Sequence, residues 1–339
     1  MSTARRPTVV DVARAASVSV GTVSNVVSGA RAVRPETRER VERAIAELGF
    51  RPNTIARALI RRRTQTVGMV IPDVTNPFFS DLIWEVERAL TEADYAVVFG
   101  NSANDPARER QYLEAFLSRR VDALVVVVTA GADLEFVRSL AAEVPTVFVD
   151  RLVPPDVDSV VGDNDAGMAL VVDHLVGLGH GRVALVNGDA ELETARAREA
   201  GAVAALARHG LEPVSRSTGA FTLESGDEQG SALFAGAASP TAVVAANDLL
   251  AMGVLAAASR AGLAVPGDVS VTGYDDIAYA AFTSPPLTTV RQPARAMGEE
   301  AARLLLARLE GDGSPPRRRV VEPELRARAS AAAPPDRQG

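Results

Sequence analysis

From residue 66 onward the chain alternates short apolar runs with longer helical stretches, and this rhythm restricts the possible folds more than any single residue does. Runs at 66–71, 96–99, 123–128, 146–149, 183–186, 241–245 and 269–273 have the length and the Val-rich content of strands. Helical patterns lie between them, at 78–93, 107–118, 165–178, 194–209, 224–235 and 249–261. Strands that read as continuous apolar runs are buried on both faces, and strand–helix alternation builds parallel sheets covered by helices. Roughly 260 residues of this pattern are too many for one open sheet, so two doubly wound halves dividing near Asp163 are expected. Ligands of such sheets sit beyond the carboxyl ends of the strands. Polar residues stand at several of those ends: Asp73, Asp150, Asn247-Asp248 and Asp275-Asp276.

The first sixty residues follow a different rhythm. Val9, Val12, Ala13 and Ala16 recur at helical spacing on one face. Ser17-Val18-Ser19 interrupts them, and Ser19 is suited to cap a second helix whose inward side carries Val23, Val26 and Val27. Gly29 is placed to end that helix. Pro35 fits the first turn of a third helix with a stripe of Thr37, Val41, Ala44, Ile45 and Leu48, and Gly49 is its stop signal. A further short helix is possible at 53–59, behind Pro52, and Arg61-Arg62-Arg63 follows it.

Charge separates the two regions. The chain has 339 residues and a net charge of -7, and all 36 of its basic residues are Arg. Residues 1–63 carry 13 Arg against 5 acids, a balance of +8, and the remainder balances to -15. A basic, helical end on an acidic body points to a polyanion that only the end meets. The absence of Cys excludes disulfides, thiolate metal sites and a Cys nucleophile, and the absence of Lys excludes a P-loop or Schiff-base lysine. His174, His180 and His209 show no metal-ligand spacing. No run is long enough to span a bilayer, and no signal-type apolar stretch opens the chain, so a cytoplasmic location is expected.

Asp11 through Val27 has the layout of a helix-turn-helix: two short helices, a tight turn, and a second helix that is small and polar on one side. Such a helix fits the major groove. Val20 and Gly21 at its start, with Thr22, Ser24 and Asn25 beside them, would face the DNA; Asn can bond adenine bidentately and Val can touch a thymine methyl. The segment Val9-Val10-Asp11-Val12-Ala13 through Val18-Ser19-Val20-Gly21-Thr22-Val23-Ser24 resembles the LacI/GalR (lactose-repressor) family of bacterial transcriptional regulators. The resemblance extends along the chain through Arg51-Pro52-Asn53, Ala56-Arg57-Ala58-Leu59, Asp173 to His180, Asn247-Asp248, Gly273-Tyr274-Asp275-Asp276 and Pro286 to Val290.

This resemblance implies an all-α headpiece with a hinge helix, joined to a periplasmic-binding-protein-like α/β core of two doubly wound parallel-sheet subdomains. The implied division is a DNA-binding domain at 1–52, a hinge helix and linker at 53–65, a core at 66–329 and a flexible tail at 330–339. Within the core, 66–163 plus 291–323 would form one subdomain, and 164–290 plus 324–329 the other. The implied partners are double-stranded, pseudo-palindromic operator DNA, a second copy of the chain, and a small-molecule effector, most simply a carbohydrate; no membrane and no cofactor is implied. Hinge helices would enter the minor groove, with Leu59 as a wedge, Ala56 near the groove floor, and Asn53 and Arg57 as further contacts. The implied effector contacts are Asp73, Phe78, Phe79, Asp150, Arg198, Phe221, Asn247 and Asp275. Aromatic planes combined with Asp, Asn and Arg suit a polyol. The purine-binding branch has Arg where Leu192 stands here, although Thr194 is kept. C-terminal leucine heptads of the kind that build tetramers are absent, so a dimer is expected.

Two other classes fit less well. An enzyme would use the same fold, but Gly177-Leu178-Gly179-His180-Gly181 follows a helix and lacks the strand–GxGxxG–helix order. The Asp275-Asp276 pair is a weak acid–base candidate, because neighbours at a strand end point apart. A transport-type sugar-binding protein would share the core but would need an export signal and no basic headpiece.

Overall fold

The computed structural model describes residues 7–28, 31–50, 63–151, 153 and 155–335. The chain divides into two compact units, the first ending at Gln65 and the second beginning at Thr66.

Among the described residues, the first unit holds three helices: α1 (Val9–Ala15), α2 (Val20–Ser28) and α3 (Pro35–Leu48). Thr8 and Asp11 form a capping box that ties down the start of α1, with the Thr8 N–H donating to Asp11 Oδ2 at 2.8 Å. Ser17 turns the chain in the left-handed region, and the Ser19 Oγ accepts the Thr22 N–H at 3.0 Å to open α2. Pro35 occupies the first turn of α3, and Gly49 closes that helix at φ 61°. Val12, Ala13, Ala16, Val23, Val26, Val41 and Ala44 are buried together between the three helices. These are the periodic positions expected from the sequence. Gly29 lies outside the described residues.

The second unit contains two parallel sheets. The larger has six strands in the order β11-β5-β4-β3-β1-β2. These are β1 (Thr66–Ile71), β2 (Ala96–Asn101), β3 (Ala123–Val126), β4 (Thr146–Val149), β5 (Asp158–Gly162) and β11 (Arg318–Val321). The smaller sheet has the order β7-β6-β8-β9, built from β6 (Val183–Asn187), β7 (Ser215–Thr218), β8 (Ala242–Ala245) and β9 (Ser270–Thr272). A separate antiparallel pair, β10 (Thr289–Arg291) with β12 (Glu324–Arg326), lies between them in the connectivity. The helices are α4 (Pro77–Thr91), α5 (Pro106–Ser118), α6 (Leu134–Glu143), α7 (Asn164–Gly177), α8 (Glu193–Arg208), α9 (Leu223–Ala235), α10 (Asp248–Arg260) and α11 (Ala294–Leu309). Strands β3, β4, β5 and β8 are buried at every position; β3, β4 and β8 read as unbroken apolar or small-residue runs, whereas β5 opens on Asp158, which pairs with Arg308.

The chain passes between the two sheets three times: after β5, after β10 and after β11. Five strands and two helices are additional to those expected, namely β5, β7, β10, β11, β12, α6 and α11. Strands β7 and β11 are polar edges with one neighbour each, so neither needs an apolar pattern. The expected loose tail is corrected at its start. Ser330 is fully buried, its N–H donates to the Pro286 carbonyl at 3.0 Å, and its Oγ donates to the Val271 carbonyl at 2.6 Å. The Ala332 carbonyl lies 2.8 Å from His180 Nε2. Backbone pairing along the edge beside β9 holds this segment, and its Ala-rich composition gave no sign of it.

Candidate functional site

The carboxyl ends of both sheets open onto one cleft with about 800 Å³ of free space, its open mouth included. All eight candidate effector residues line it: Asp73, Phe78, Phe79, Asp150, Arg198, Phe221, Asn247 and Asp275. The larger sheet contributes Asp73 just past β1 and Asp150 just past β4. The smaller contributes Asn247 after β8 and Asp275 after β9.

Arg198, on α8, is held from several sides. Its Nε donates to Asn164 Oδ1 at 2.9 Å, and its Nη1 donates to the Ala246 carbonyl at 2.7 Å. The same Nη1 lies 3.4 Å from Asp275 Oδ1. The guanidinium sits 3.9 Å from the centroid of the Tyr274 ring and 6.0 Å from that of Phe221. Such a cation is oriented before any ligand arrives, which reduces the entropy lost on binding. Asp275 also accepts from Gln292 Nε2 at 2.7 Å. Burial nevertheless pushes the Asp275 carboxyl up to about 6, with Arg198 and Gln292 opposing the rise. Burial raises Asp150 as well, against Arg151 and Arg198. Asp150 and Asp275 both adopt positive φ, 71° and 109°, an arrangement that costs on the order of 1–3 kcal/mol per residue and is concentrated at functional sites.

The remaining candidates differ in how freely they face the cleft. Phe78 and Phe79 begin α4 behind the Asn76 cap, their rings edge to face with centroids 5.3 Å apart. Phe221 is half-buried against Gly188, where any β-carbon would collide with its ring. Asn247 is buried; its Oδ1 caps α10 by accepting the Leu250 N–H at 2.8 Å, which leaves its Nδ2 for other partners. Asp73 accepts from both the Thr75 N–H and hydroxyl, at 2.9 and 2.7 Å, so its carboxylate is already partly engaged. Asp248 turns away from the cleft: it accepts from the Thr289 hydroxyl and the Ile277 N–H, and burial holds its carboxyl well above the usual range. Asp276 likewise points away from Asp275, as expected for neighbours at a strand end.

Sequence reasoning missed Arg151 and Gln292, which also line the cleft. Arg151 is buried, donates from Nη1 to the Val128 carbonyl, and lies with its Nε 4.0 Å from Asp150 Oδ2. That Nε has no hydrogen-bond partner. Arg151 directly follows a strand-end Asp, which was the available signal. Gln292 follows β10, a strand too short to be recognised. Leu192 and Thr194, the positions that distinguish the purine branch, line the cleft too. Together these groups offer acidic acceptors, Arg and amide donors, and aromatic faces. Among the described residues no cluster of His, Cys, Asp or Glu could hold a metal ion.

On α2, Val20 and Gly21 are exposed, while Thr22, Ser24 and Asn25 are half-buried around the buried Val23 and Val26. The Ser19 and Thr22 hydroxyls lie 2.9 Å apart at the helix start. Asn53, Ala56, Arg57 and Leu59 lie outside the described residues.

A helix-turn-helix unit on one chain with a binding core of two parallel sheets around a polar cleft defines a ligand-responsive, DNA-binding transcriptional regulator. The chain belongs to the lacI family of bacterial regulatory proteins: that family's model matches residues 8–53, and a periplasmic binding protein-like domain matches residues 172–331. The ribose operon repressor of Escherichia coli (strain K12) is 38% identical over 329 residues, covering 96% of this chain and 99% of that protein. The transcriptional repressor PurR of Photobacterium profundum is 33% identical, covering 95% of this chain and 98% of that protein. The crystal structure of a Lac repressor dimer bound to operator and the anti-inducer ONPF superposes with a TM-score of 0.89 at 30% identity, covering 97% of this chain and all of that one. These relatives are repressors, and the chain is a regulator rather than an enzyme. No helix among the described residues is long and apolar enough to cross a membrane.

Proposed function

We propose that the chain is a cytoplasmic, homodimeric repressor of a pseudo-palindromic operator, and that a sugar bound in the cleft switches its grip on DNA. The observation that carries this reading is the cleft chemistry. Fixed Arg198, buried Asp150 and Asp275 and the Nδ2 of Asn247 offer a ring of donors and acceptors, and Phe78, Phe79 and Phe221 offer apolar faces. A polyhydroxy ring presents the complementary surfaces. A likeness of 38% identity over nearly the whole chain to a ribose operon repressor makes D-ribose the first effector to test. On the DNA side, α2 reads the major groove through Val20, Gly21, Thr22, Ser24 and Asn25. Hinge helices carrying Asn53, Ala56, Arg57 and Leu59 enter the minor groove between the half-sites. The dimer has support in β2, an edge strand of the larger sheet that, unlike the polar β11 edge, exposes Val98 and Phe99.

Thr194 in the cleft and the likeness to PurR favour a nucleobase effector as a second reading, and Leu192 in place of Arg weighs against it. Thermal unfolding against a panel of sugars and nucleobases separates the two. A ligand at 100 times its Kd stabilises the native protein by about 2.7 kcal/mol. D-ribose is expected to raise the unfolding temperature while purine bases leave it unchanged. A rise with purines and none with sugars overturns the sugar reading.

A further inference from the structure

Asp276 takes no part in the cleft, yet its side chain is only 3% exposed and faces three arginines. Arg291 Nη2 lies 2.7 Å from its Oδ2, Arg328 Nη2 lies 2.5 Å from its Oδ1, and Arg326 Nε lies 4.0 Å from its Oδ2. That Arg326 nitrogen is buried without a hydrogen-bond partner. The arginines come from the segments by which the chain passes between the sheets. Arg291 ends β10, from which the chain returns to α11 beside the larger sheet. Arg326 ends β12, reached directly from β11 of the larger sheet, and Arg328 follows it. Strands β10 and β12 are themselves paired, with Thr289 opposite Arg326 and Arg291 opposite Glu324.

The backbone ties this cluster to the cleft. Asp275 and Asp276 are consecutive non-glycine residues at positive φ, 109° and 55°, and their carboxylates meet separate sets of partners. The Asp275 N–H donates to the Val290 carbonyl at 2.8 Å, so the pair is also stitched to β10. On one side lies the carboxylate that meets Arg198 and Gln292, and on the other the carboxylate that gathers two of the three crossings. An ion cluster serving stability alone has no need to sit one residue from the ligand site and to bridge both crossings.

We propose that Asp276 is a positioning residue that couples occupancy of the cleft to the geometry of the crossings. Displacing Asp275 toward a bound ligand shifts the anchor of Arg291, Arg326 and Arg328, and this alters how the two sheets are held relative to each other. The proposal rests on the sugar reading only for its choice of ligand. The clamp itself is tested without one.

The test uses the full-length protein as wild type, Asp276→Asn and Arg328→Gln, so that it survives if one variant folds poorly. Without ligand, amide hydrogen exchange across residues 287–293 and 324–329 is expected to quicken by about threefold or more in both variants. Wild-type exchange rates in both overturn the clamp. With D-ribose, calorimetry is expected to give a Kd within about fivefold of wild type. The ratio of operator affinities with and without ribose, measured on a duplex selected by the wild-type protein, is expected to shrink by about fivefold or more. A purely structural role would lower the unfolding temperature and leave that ratio intact, and this outcome overturns the coupling. If the wild type fails to bind D-ribose, the sugar reading fails separately, and the exchange experiment still decides whether Asp276 holds the crossings.

Discussion

At the level of single residues, the cleft is built around a carboxylate kept from its ordinary ionisation. Asp275 is raised to about 6 by burial, although Arg198 and Gln292 both favour its charged form. The folded chain therefore binds a proton that the unfolded chain has released, between the ordinary carboxylate range near 4 and pH 6. Stability falls as pH rises through that window, and the full penalty of about 3 kcal/mol is present above it. A ligand hydroxyl that donates to the ionised carboxylate offsets part of this penalty. Effector affinity is therefore expected to be flat above pH 7 and to weaken by about tenfold as pH falls from 7 to 5. Calorimetric titration of D-ribose across that range checks it, and the variant Asp275→Asn should lose the dependence. A wild-type affinity that stays constant down to pH 5 would show that the ligand does not rely on this carboxylate. The opposed directions of Asp275 and Asp276 were foreseeable from their adjacency. The Gln292 contact with Asp275 was not, because Gln292 follows β10, a strand of three residues that no apolar run announces.

At the level of elements, legibility followed burial pattern and capping chemistry. Helices α2 and α3 announce themselves through Ser19, Pro35 and Gly49, each of which performs the backbone task expected of its residue type, while the Thr8–Asp11 capping box that opens α1 was not read from the sequence. The buried strands β1, β3, β4 and β8 are Val-rich runs. Strands β7, β10, β11 and β12 are three or four residues long and partly polar, so neither length nor period distinguishes them from loops. The Ser330 segment is held by backbone hydrogen bonds and by the Ser330 and Ser270 hydroxyls, and no apolar period announces either. The proposed hinge contact belongs to this scale as well. If Leu59 is a wedge between base pairs, Leu59→Ala should weaken operator binding by about tenfold or more and leave binding to random duplex nearly unchanged. Equal losses on both DNAs, measured by fluorescence anisotropy at one salt concentration, would remove the wedge from the account.

At the level of the whole molecule, the division of labour is visible in the charge balance. The first 63 residues are basic by 8 charges, and the rest is acidic by 15. The fold class and the role of a regulated DNA-binding protein were therefore legible early, from the helix-turn-helix segment, the strand–helix rhythm and the ordered motifs along the core. The location of the cleft followed from the strand ends. The identity of the ligand did not, because Arg, Asp and Asn at such ends serve many hydroxylated molecules, and the difference lies in distances of a fraction of an ångström.

Operator affinity with and without saturating D-ribose, in the wild type and in Arg198→Ala, shows whether a sugar in this cleft changes the grip on DNA. A ligand moves such an equilibrium only by its unequal affinity for the two states, commonly worth about 1–3 kcal/mol, or roughly 5- to 150-fold. The wild type is expected to show a change in that range. Arg198→Ala is expected to match the wild-type ligand-free affinity and to show no change on adding ribose. An Arg198→Ala protein that responds as the wild type does would contradict the account of the cleft.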